Sequence, residues 1–598
     1  MGDNRSAKID AVEKRHEESY ELLRQARAAA KKKSKYNSAD TRKKMYEECK
    51  RRTGFEPKKE QLDIAESMLL GLDSTVMAGT GWGKTLPFAL PLFVRQRKIV
   101  IVISPLNVLE ADQAKKFSSW GLRAVALNSE SKEGMTAMLE EVKKNKFDII
   151  VVGPKLCLDP EGAFRPLLSD PSFSKRILAV IVDEAHCIAQ WGDSFRPEYS
   201  QLEALRGFMG IDVPVHATSA TLTPTSLEKT RRALHIREDR SFHLNLGNDR
   251  PNIAWEVRKM NAAKSDLESL DFVLGSEPLD EVERFRRSII FFDDVMLSLQ
   301  AVQRLRDKVP KHLKSRICAY NSQRGPVSKR LVFKLFQRGD IDILIATEAA
   351  GMGFDAADIW LVIQFMVPSS LEVWLQRAGR AGRGKDICAR AILLVQPTVF
   401  QEKGKMTRQP GDTVKYMKEI GEDLRDWITA PESECRRTVA DRVFNNPPRE
   451  DGAISGDRDL SVRTSENEIP VDTGDVSHSA DTTDAQAIAV ESAGEVAAEL
   501  RDWRSVVPVT RSPEDVKEAV SLLRNWRTRT WLSEHSLARF GEAGIFPDAI
   551  LQSLAARTTY LSVDDLASLG WSSSMTWIDV GQTMFLKLKR GGRQRRGG

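Results

Sequence analysis

Short apolar runs set the rhythm of the first two thirds of the chain. From about Phe55, β-branched or apolar stretches alternate with helix-length amphipathic segments: Ile99 to Ile103, Asp148 to Val152, Ile177 to Val182 and Val213 to Ala217, then Ser288 to Phe292, Ile341 to Ala346 and Ile359 to Phe365. Runs this short, bounded by polar turns, read as buried parallel strands. Two such series predict two α/β lobes in tandem. Upstream, Asp10 to Ala30 is rich in helix formers with little Gly or Pro, which predicts a basic N-terminal helix.

The pattern stops after the second series. Between Asn446 and Ala498 the chain turns acidic and rich in Ser, Thr, Asp and Gly, with no aromatic residue to seed a core, the composition of a disordered linker. Ser512-Pro513-Glu514-Asp515 then supplies an N-cap, a first-turn proline and first-turn acids, and Val516, Val520, Leu523 and Trp526 share one helical face. The expected organisation is a basic helical segment over 1–52, a first lobe over 53–240, a second over 241–400 and a helical region over 401–447. A linker over 448–498 and a small helical C-terminal domain with a basic tail over 499–598 complete it. The tryptophans of that last domain, Trp526, Trp531, Trp571 and Trp577, read as core.

Composition narrows the picture. The 598 residues carry a net charge of +6, with the excess in Lys31-Lys32-Lys33-Ser34-Lys35, Arg42-Lys43-Lys44 and Lys587 to Arg596. Such clusters suit phosphate backbones or a nuclear import signal, although a charge run alone is also an ordinary solvated surface. No apolar run approaches the ~20 residues of a membrane span, and the polar start lacks a secretory signal, so an intracellular protein with no membrane partner is expected. Cys49, Cys157, Cys187, Cys318, Cys388 and Cys435 are scattered singly, so reduced thiols are expected.

Three motifs carry the chemistry. Ala78-Gly79-Thr80-Gly81-Trp82-Gly83-Lys84-Thr85 has the form of a phosphate-binding loop, whose glycines let backbone N–H groups face phosphate oxygens. Lys84 is placed to reach the β- and γ-phosphates of ATP, and the Thr85 hydroxyl to bind Mg²⁺. The first position is Ala78 where the strict pattern has glycine. The second motif is Asp183-Glu184-Ala185-His186 at the carboxyl end of the predicted strand Ile177 to Val182. Asp183 is expected to hold Mg²⁺, and Glu184 to orient and deprotonate the attacking water. The third is Gln376-Arg377-Ala378-Gly379-Arg380-Ala381-Gly382-Arg383 in the second lobe. Arg380 and Arg383 are candidates for stabilising γ-phosphoryl charge across a cleft, with a basic surface patch as the plain alternative.

From Gln61 to Arg383, a little over half the chain, the order of motifs resembles RecQ helicases of superfamily 2. Met77 to Pro91 resembles that family's nucleotide loop and helix; Ser104-Pro105-Leu106 with Leu109, Asp112 and Gln113 resembles its next motif, followed by Ala126-Leu127-Asn128-Ser129. His186 to Tyr199 resembles its aromatic-rich loop, which senses single-stranded DNA. The resemblance gives Gln190, Trp191, Phe195 and Arg196 DNA-contact or coupling roles, and stacking on Trp191 and Phe195 is chemically reasonable in its own right. Ser219-Ala220-Thr221 resembles the coupling motif between lobes, Ala346 to Asp355 the ATP/DNA-coupling segment, and Gln61 the adenine-reading glutamine.

The resemblance implies two recA-like parallel-sheet lobes and an ATP- and Mg²⁺-dependent 3′–5′ DNA helicase acting on single-stranded or junction-containing DNA. A nuclear role in DNA repair or recombination follows as an expectation; protein partners are not indicated. There are departures. Asp193-Ser194 stands where the family usually has His-Asp, and Cys435-Arg436-Arg437 resembles the start of the zinc-binding region without later cysteines, so zinc is not expected. Gln376 joins Lys84, Asp183, Glu184, Arg380 and Arg383 in the expected catalytic set. An RNA helicase of the DEAH type and a degenerate, non-catalytic DNA-binding scaffold are the competing readings; DNA-selective stimulation of ATP hydrolysis separates them.

Overall fold

A computed structural model describes residues 3–448 apart from positions 106, 129–131, 191–198, 200, 210–211, 276–277, 280, 325, 351–355, 357, 385–386 and 404–413, with isolated helical positions between 517 and 528. The expected linker over 448–498 and the C-terminal domain over 499–598 thus lie almost wholly outside the described residues. Two parallel sheets organise the chain as tandem recA-like lobes. The first holds β1 (Asp73–Met77), β2 (Ile99–Ile103), β3 (Ala124–Leu127), β4 (Ile149–Val152), β5 (Ile177–Val182), β6 (Val215–Ser219) and β7 (Ser241–Asn245), in the order β3-β4-β2-β5-β6-β1-β7. The second holds β8 (Ile253–Lys259), β9 (Ser288–Phe291), β10 (Ile317–Tyr320), β11 (Ile343–Ala346), β12 (Leu361–Phe365) and β13 (Ala389–Val395), in the order β10-β11-β9-β12-β13-β8.

By internal packing, one compact unit takes in Met1–Ser276, Phe285–Asp294 and the described chain from Ala346 to Pro448. A second contains Glu277–Arg284 and Val295–Ile345; its buried Asp342 is held by Arg284 at 3.0 Å and Arg316 at 3.1 Å. Every side chain of the site described below belongs to the first unit.

The all-apolar runs became strands because both faces of a parallel sheet are covered: β2, β4 and β5 are buried at every position. Strands β1 and β7 follow a different rule. β1 carries Ser74 and Thr75 and β7 carries Ser241, His243 and Asn245, all buried. Their polarity is absorbed sideways: Ser74 Oγ pairs with His216 Nδ1 of β6 at 2.7 Å, and Thr75 Oγ1 with His243 Nδ1 of β7 at 2.8 Å. Because β7 pairs with β1, the first sheet extends through Asn245.

The N-terminal segment forms two helices, Asp3–Ser34 and Ser38–Thr53, the second capped by Asn37 and ended by the left-handed Gly54. The first helix covers the edge strand β7. There the His243 N–H donates to Ser19 Oγ at 3.1 Å and the Asn245 N–H to His16 Nε2 at 2.9 Å, so an edge that would otherwise expose donors is sealed. Both helices are also tied to Lys59–Leu69 through Asp63 and Glu66. Arg27 meets Glu66 at 2.6 Å and Asp63 at 3.1 Å, Arg42 bonds both, and Tyr36 and Ser38 donate to Glu66. Glu66 is fully buried, so Glu66→Ala strands two guanidiniums beside one remaining carboxylate. We expect a loss of about 3 kcal/mol, the low end for a broken buried pair because both arginines are partly solvated, measured by urea unfolding. A change under about 1 kcal/mol would mean the helices are held by apolar packing alone.

His216 gives lobe one an acid-sensitive point. Burial pushes its pKa down from 6.5 to about 3. The folded value lies below the unfolded one, so as pH falls the unfolded chain takes up the proton first. Stability is fully present above about 6.5 and is lost as pH falls toward 3. At pH 5 the loss is about 2 kcal/mol. Melting at pH 7.5 and pH 5.0 should show it, and His216→Asn should flatten the dependence. Among the described residues, no helix is long and apolar enough to cross a membrane.

Candidate nucleotide-hydrolysis site

The phosphate loop leaves the end of β1 and is pinned by backbone on both sides. The Ala78 N–H donates to Ser219 O at 3.1 Å, and the Gly79 N–H to Gly247 O at 2.9 Å. Gly81 and Gly83 have φ of 86° and 93°, where a side chain would be strained. Gly83 is doubly constrained, because a Cβ there would meet Gln61 Nε2 at 2.8 Å. Gln61 is buried against the loop: Oε1 accepts from the Lys58 N–H at 2.8 Å, and Nε2 donates to Trp82 O at 3.3 Å and Gly83 O at 3.2 Å. The Lys58 ammonium lies 5.3 Å from the Trp82 ring centre. Lys84 Nζ folds back to donate to Ala78 O at 2.8 Å and Gly79 O at 3.2 Å. Thr85 directly precedes the helix Leu86–Val94 without a side-chain capping bond, and Thr80 faces Gly379 of the second lobe, whose Cβ would lie 3.1 Å from the Thr80 hydroxyl.

The two carboxylates stand just beyond β5. Glu184 adopts φ 50°, a left-handed conformation rare for its type and frequent at functional sites. Its N–H donates to Asp183 Oδ1 at 2.9 Å, while Gln113 Nε2 donates to Asp183 Oδ2 at 2.6 Å. Burial, then the Glu184 charge, push Asp183 up to about 6. For Glu184, burial pulls upward but is outweighed by His186, Lys84, Arg380 and Arg383, which hold the carboxyl below its ordinary range. Burial lowers the pKa of Lys84; the two carboxylates oppose this, and Arg383 and Arg380 add to it. His186 is fully buried, with Nδ1 on Ser219 Oγ at 2.8 Å, and the Thr221 N–H donates to the same hydroxyl at 3.1 Å. The carboxylate turn and Ser219-Ala220-Thr221 therefore form one buried network.

The arginine-rich motif divides by role in the fold. It starts on the helix Leu371–Ala378, capped by Ser370, and turns at Gly379. Arg377 is buried and bonds Asp293 and Gln364 at 2.7 and 2.6 Å and Glu348 at 2.5 Å, which makes it a tie inside the second lobe. Arg380 and Arg383 instead act electrostatically on Lys84 and Glu184. Gln376 is buried beside them, and its Nε2 has no hydrogen-bond partner.

The structure thus brings together Gln61, the loop Ala78 to Thr85, Asp183, Glu184, Ser219, Thr221, Gln376, Arg380 and Arg383. Gln190 ends the short helix His186–Gln190. Trp191, Phe195 and Arg196 lie outside the described residues, as do Leu106, Ser129, Asp193-Ser194 and Gly351 to Asp355. Gln113 was legible only as part of a motif; its bond to Asp183, 70 positions away, needed the fold.

The residues present fit a magnesium nucleotide. Gln113 Oε1 and Gln376 Nε2 are buried without hydrogen-bond partners, Glu184 Oε2 is buried with His186 Nδ1 at 3.4 Å, and Asp183 is a carboxylate whose charge is disfavoured until a cation joins it.

Comparison with known proteins agrees with this arrangement. The DEAD/DEAH box helicase family matches residues 58–230, and the helicase conserved C-terminal domain matches 269–385. The chain is 33% identical over 383 residues to the probable ATP-dependent DNA helicase RecS of Bacillus subtilis (strain 168), covering 64% of this chain and 72% of that protein. It is 29% identical over 389 residues to the ATP-dependent DNA helicase RecQ of Haemophilus influenzae, covering 65% of this chain and 59% of that one. Identity to the ATP-dependent DNA helicase Q-like 5 of Arabidopsis thaliana is 31% over 324 residues, 53% of this chain and 33% of that one. With two recA-like lobes, a phosphate loop, paired carboxylates and second-lobe arginines in that order, the chain belongs to the RecQ-like branch of the DEAD/DEAH box helicases.

Proposed function

We propose that this chain is an ATP-dependent DNA helicase or translocase that moves 3′–5′ on single-stranded or junction-containing DNA. The observation that carries the reading is the convergence of Lys84, Asp183 and Glu184 from one lobe with Arg380 and Arg383 from the other on one electrostatic field. Names of the relatives supply the DNA substrate and, through family resemblance, the polarity.

Lys84 binds phosphate oxygens, and Thr85 and Asp183 would hold Mg²⁺. Magnesium, when bound, supplies positive charge at the phosphoryl oxygens. Glu184 orients a water and accepts its proton as the new oxygen–phosphorus bond forms and the β–γ bridge breaks. Arg380 and Arg383 meet the charge that develops on the transferred group, so closing of the lobes and hydrolysis favour one another. Gln61 reads the base, and Ser219 and Thr221, joined to His186, connect the carboxylates to the nucleic-acid side. Gln190, Trp191, Phe195 and Arg196 provide the single-strand contacts.

The test is steady-state ATP hydrolysis with and without single-stranded DNA, with RNA in parallel, followed by unwinding of a duplex bearing a 3′ tail. Strong stimulation by DNA over RNA and unwinding of the 3′-tailed duplex are expected. RNA preference would favour an RNA motor, and absence of hydrolysis a binding scaffold.

A further inference from the structure

The seven residues between β7 and β8, Leu246 to Asn252, join the two sheets, and one of them reaches both halves of the proposed site. Arg250 Nη1 donates to Thr80 O in the phosphate loop at 3.3 Å and to Gly379 O at 3.2 Å. Its Nη2 donates to Ala381 O at 3.0 Å and Gly382 O at 2.6 Å. Asn252 Nδ2 reinforces the same turn, donating to Gly382 O and Ile387 O at 2.8 Å each. A planar guanidinium can hold several carbonyls at fixed angles, and here those carbonyls flank Arg380. Gly379 leaves no slack, since a Cβ would stand 3.1 Å from both Leu375 O and the Thr80 hydroxyl.

The connector is itself gripped from behind. Arg437, on the helix Arg436–Phe444, bonds Asp249 Oδ1, donates to Arg250 O at 2.9 Å and Pro251 O at 3.3 Å, and reaches Ile253 O at 2.5 Å. Past that helix, Asn446 Nδ2 donates to Asn248 Oδ1 at 2.8 Å, and Asn245 Nδ2 donates to Asn445 O at 2.7 Å. With Gly79 N–H on Gly247 O, the connector is fastened at nearly every residue.

We propose that Arg250 is a positioning residue that couples the phosphate loop to the turn carrying Arg380 and Arg383, and that Arg437 holds Arg250 in register. The inference rests on the hydrolytic reading above. A shift of the Thr80 carbonyl on nucleotide binding is passed through one guanidinium to Gly379, Ala381 and Gly382, setting where the two arginines stand. The helix Arg436–Phe444 thereby acts on the site without touching nucleotide.

The test compares wild type, Arg250→Gln, Arg250→Lys, Arg437→Gln and the Arg250→Gln/Arg437→Gln double variant, measuring kcat and KM for ATP with saturating single-stranded DNA. In parallel, amide hydrogen exchange over 379–383 is followed with and without ADP and beryllium fluoride. Arg250→Gln should lower kcat about 30- to 100-fold with KM for ATP within about threefold, the pattern for an interaction made in the transition state. Nucleotide-dependent protection of 379–383 should vanish with it. Arg250→Lys should recover little, because an ammonium cannot span both sets of carbonyls. Arg437→Gln should give the same pattern at about tenfold, and the double variant should be no worse than Arg250→Gln, as expected for one chain of contacts. If Arg250→Gln does not fold, Arg437→Gln carries the test, with exchange across β1 to β7 as the folding control. Wild-type hydrolysis matched by the variants removes the latch and leaves the motor. A wild type without hydrolysis removes the motor and the latch with it.

Discussion

Lys84→Ala should weaken binding of a non-hydrolysable ATP analogue by about 10²- to 10⁴-fold and abolish DNA-stimulated hydrolysis. Lys84 is the one cation in the loop Ala78 to Thr85, and its ammonium rests on Ala78 O and Gly79 O. Moving from these neutral carbonyls to phosphate oxygens replaces bonds in which only the donor is charged with bonds in which both partners are, and hydrogen bonds to charged groups are each worth roughly 1.5–3 kcal/mol. Two such bonds give roughly 3–6 kcal/mol, the stated range in affinity. Calorimetric titration would check it. Near-normal affinity would place the main phosphate contact elsewhere, with the second-lobe arginines first in line.

The parts of the fold legible in the sequence were those built on apolar patterning alone. β2, β4 and β5 are strings of aliphatic residues buried on both faces, and the carboxylates at the end of β5 fell where such a strand must deliver them. β1 and β7 were not legible because buried Ser74, Thr75 and His243 are satisfied by neighbouring strands and by the N-terminal helix, so polar residues stand where an apolar signal would be. The basic clusters of the N-terminal segment suited a phosphate backbone, an import signal or an ordinary solvated surface, and Arg42 of one cluster, with Arg27, is spent on Asp63 and Glu66. Its run Lys31 to Lys33 stays exposed and available to phosphate.

The site was legible to the extent that its chemistry resides in side chains within contiguous motifs. Arg250 and Arg437 left no trace because their partners are mostly backbone carbonyls, which every residue possesses. Arg377 shows the opposite case. It shares a motif with the candidate arginines Arg380 and Arg383, and the fold engages it with Asp293, Glu348 and Gln364. Spacing put all three on one turn; Arg377 and Arg380 are equally buried, and the carboxylates around Arg377 are what mark it as a tie inside the lobe.

That separation sets the last expected result. Arg380→Ala and Arg383→Ala should each reduce kcat of the folded protein by about 10³-fold, as for loss of a guanidinium that meets transition-state charge. Both arginines help hold Glu184 ionised against its burial, so their loss also weakens the proposed base. Lysine at either position should restore little, since a point charge does not reproduce the two-pronged donor. Arg377→Ala should do the reverse: it leaves Glu348 and Gln364 without their cation inside the lobe, and should lower the melting temperature first, with activity falling only as folded protein is lost. Measuring kcat and melting temperature together on the three variants tests the assignment. If Arg380→Ala and Arg383→Ala behaved like Arg377→Ala, the turn would be structural throughout, and charge stabilisation would have to come from Lys84 and the magnesium ion.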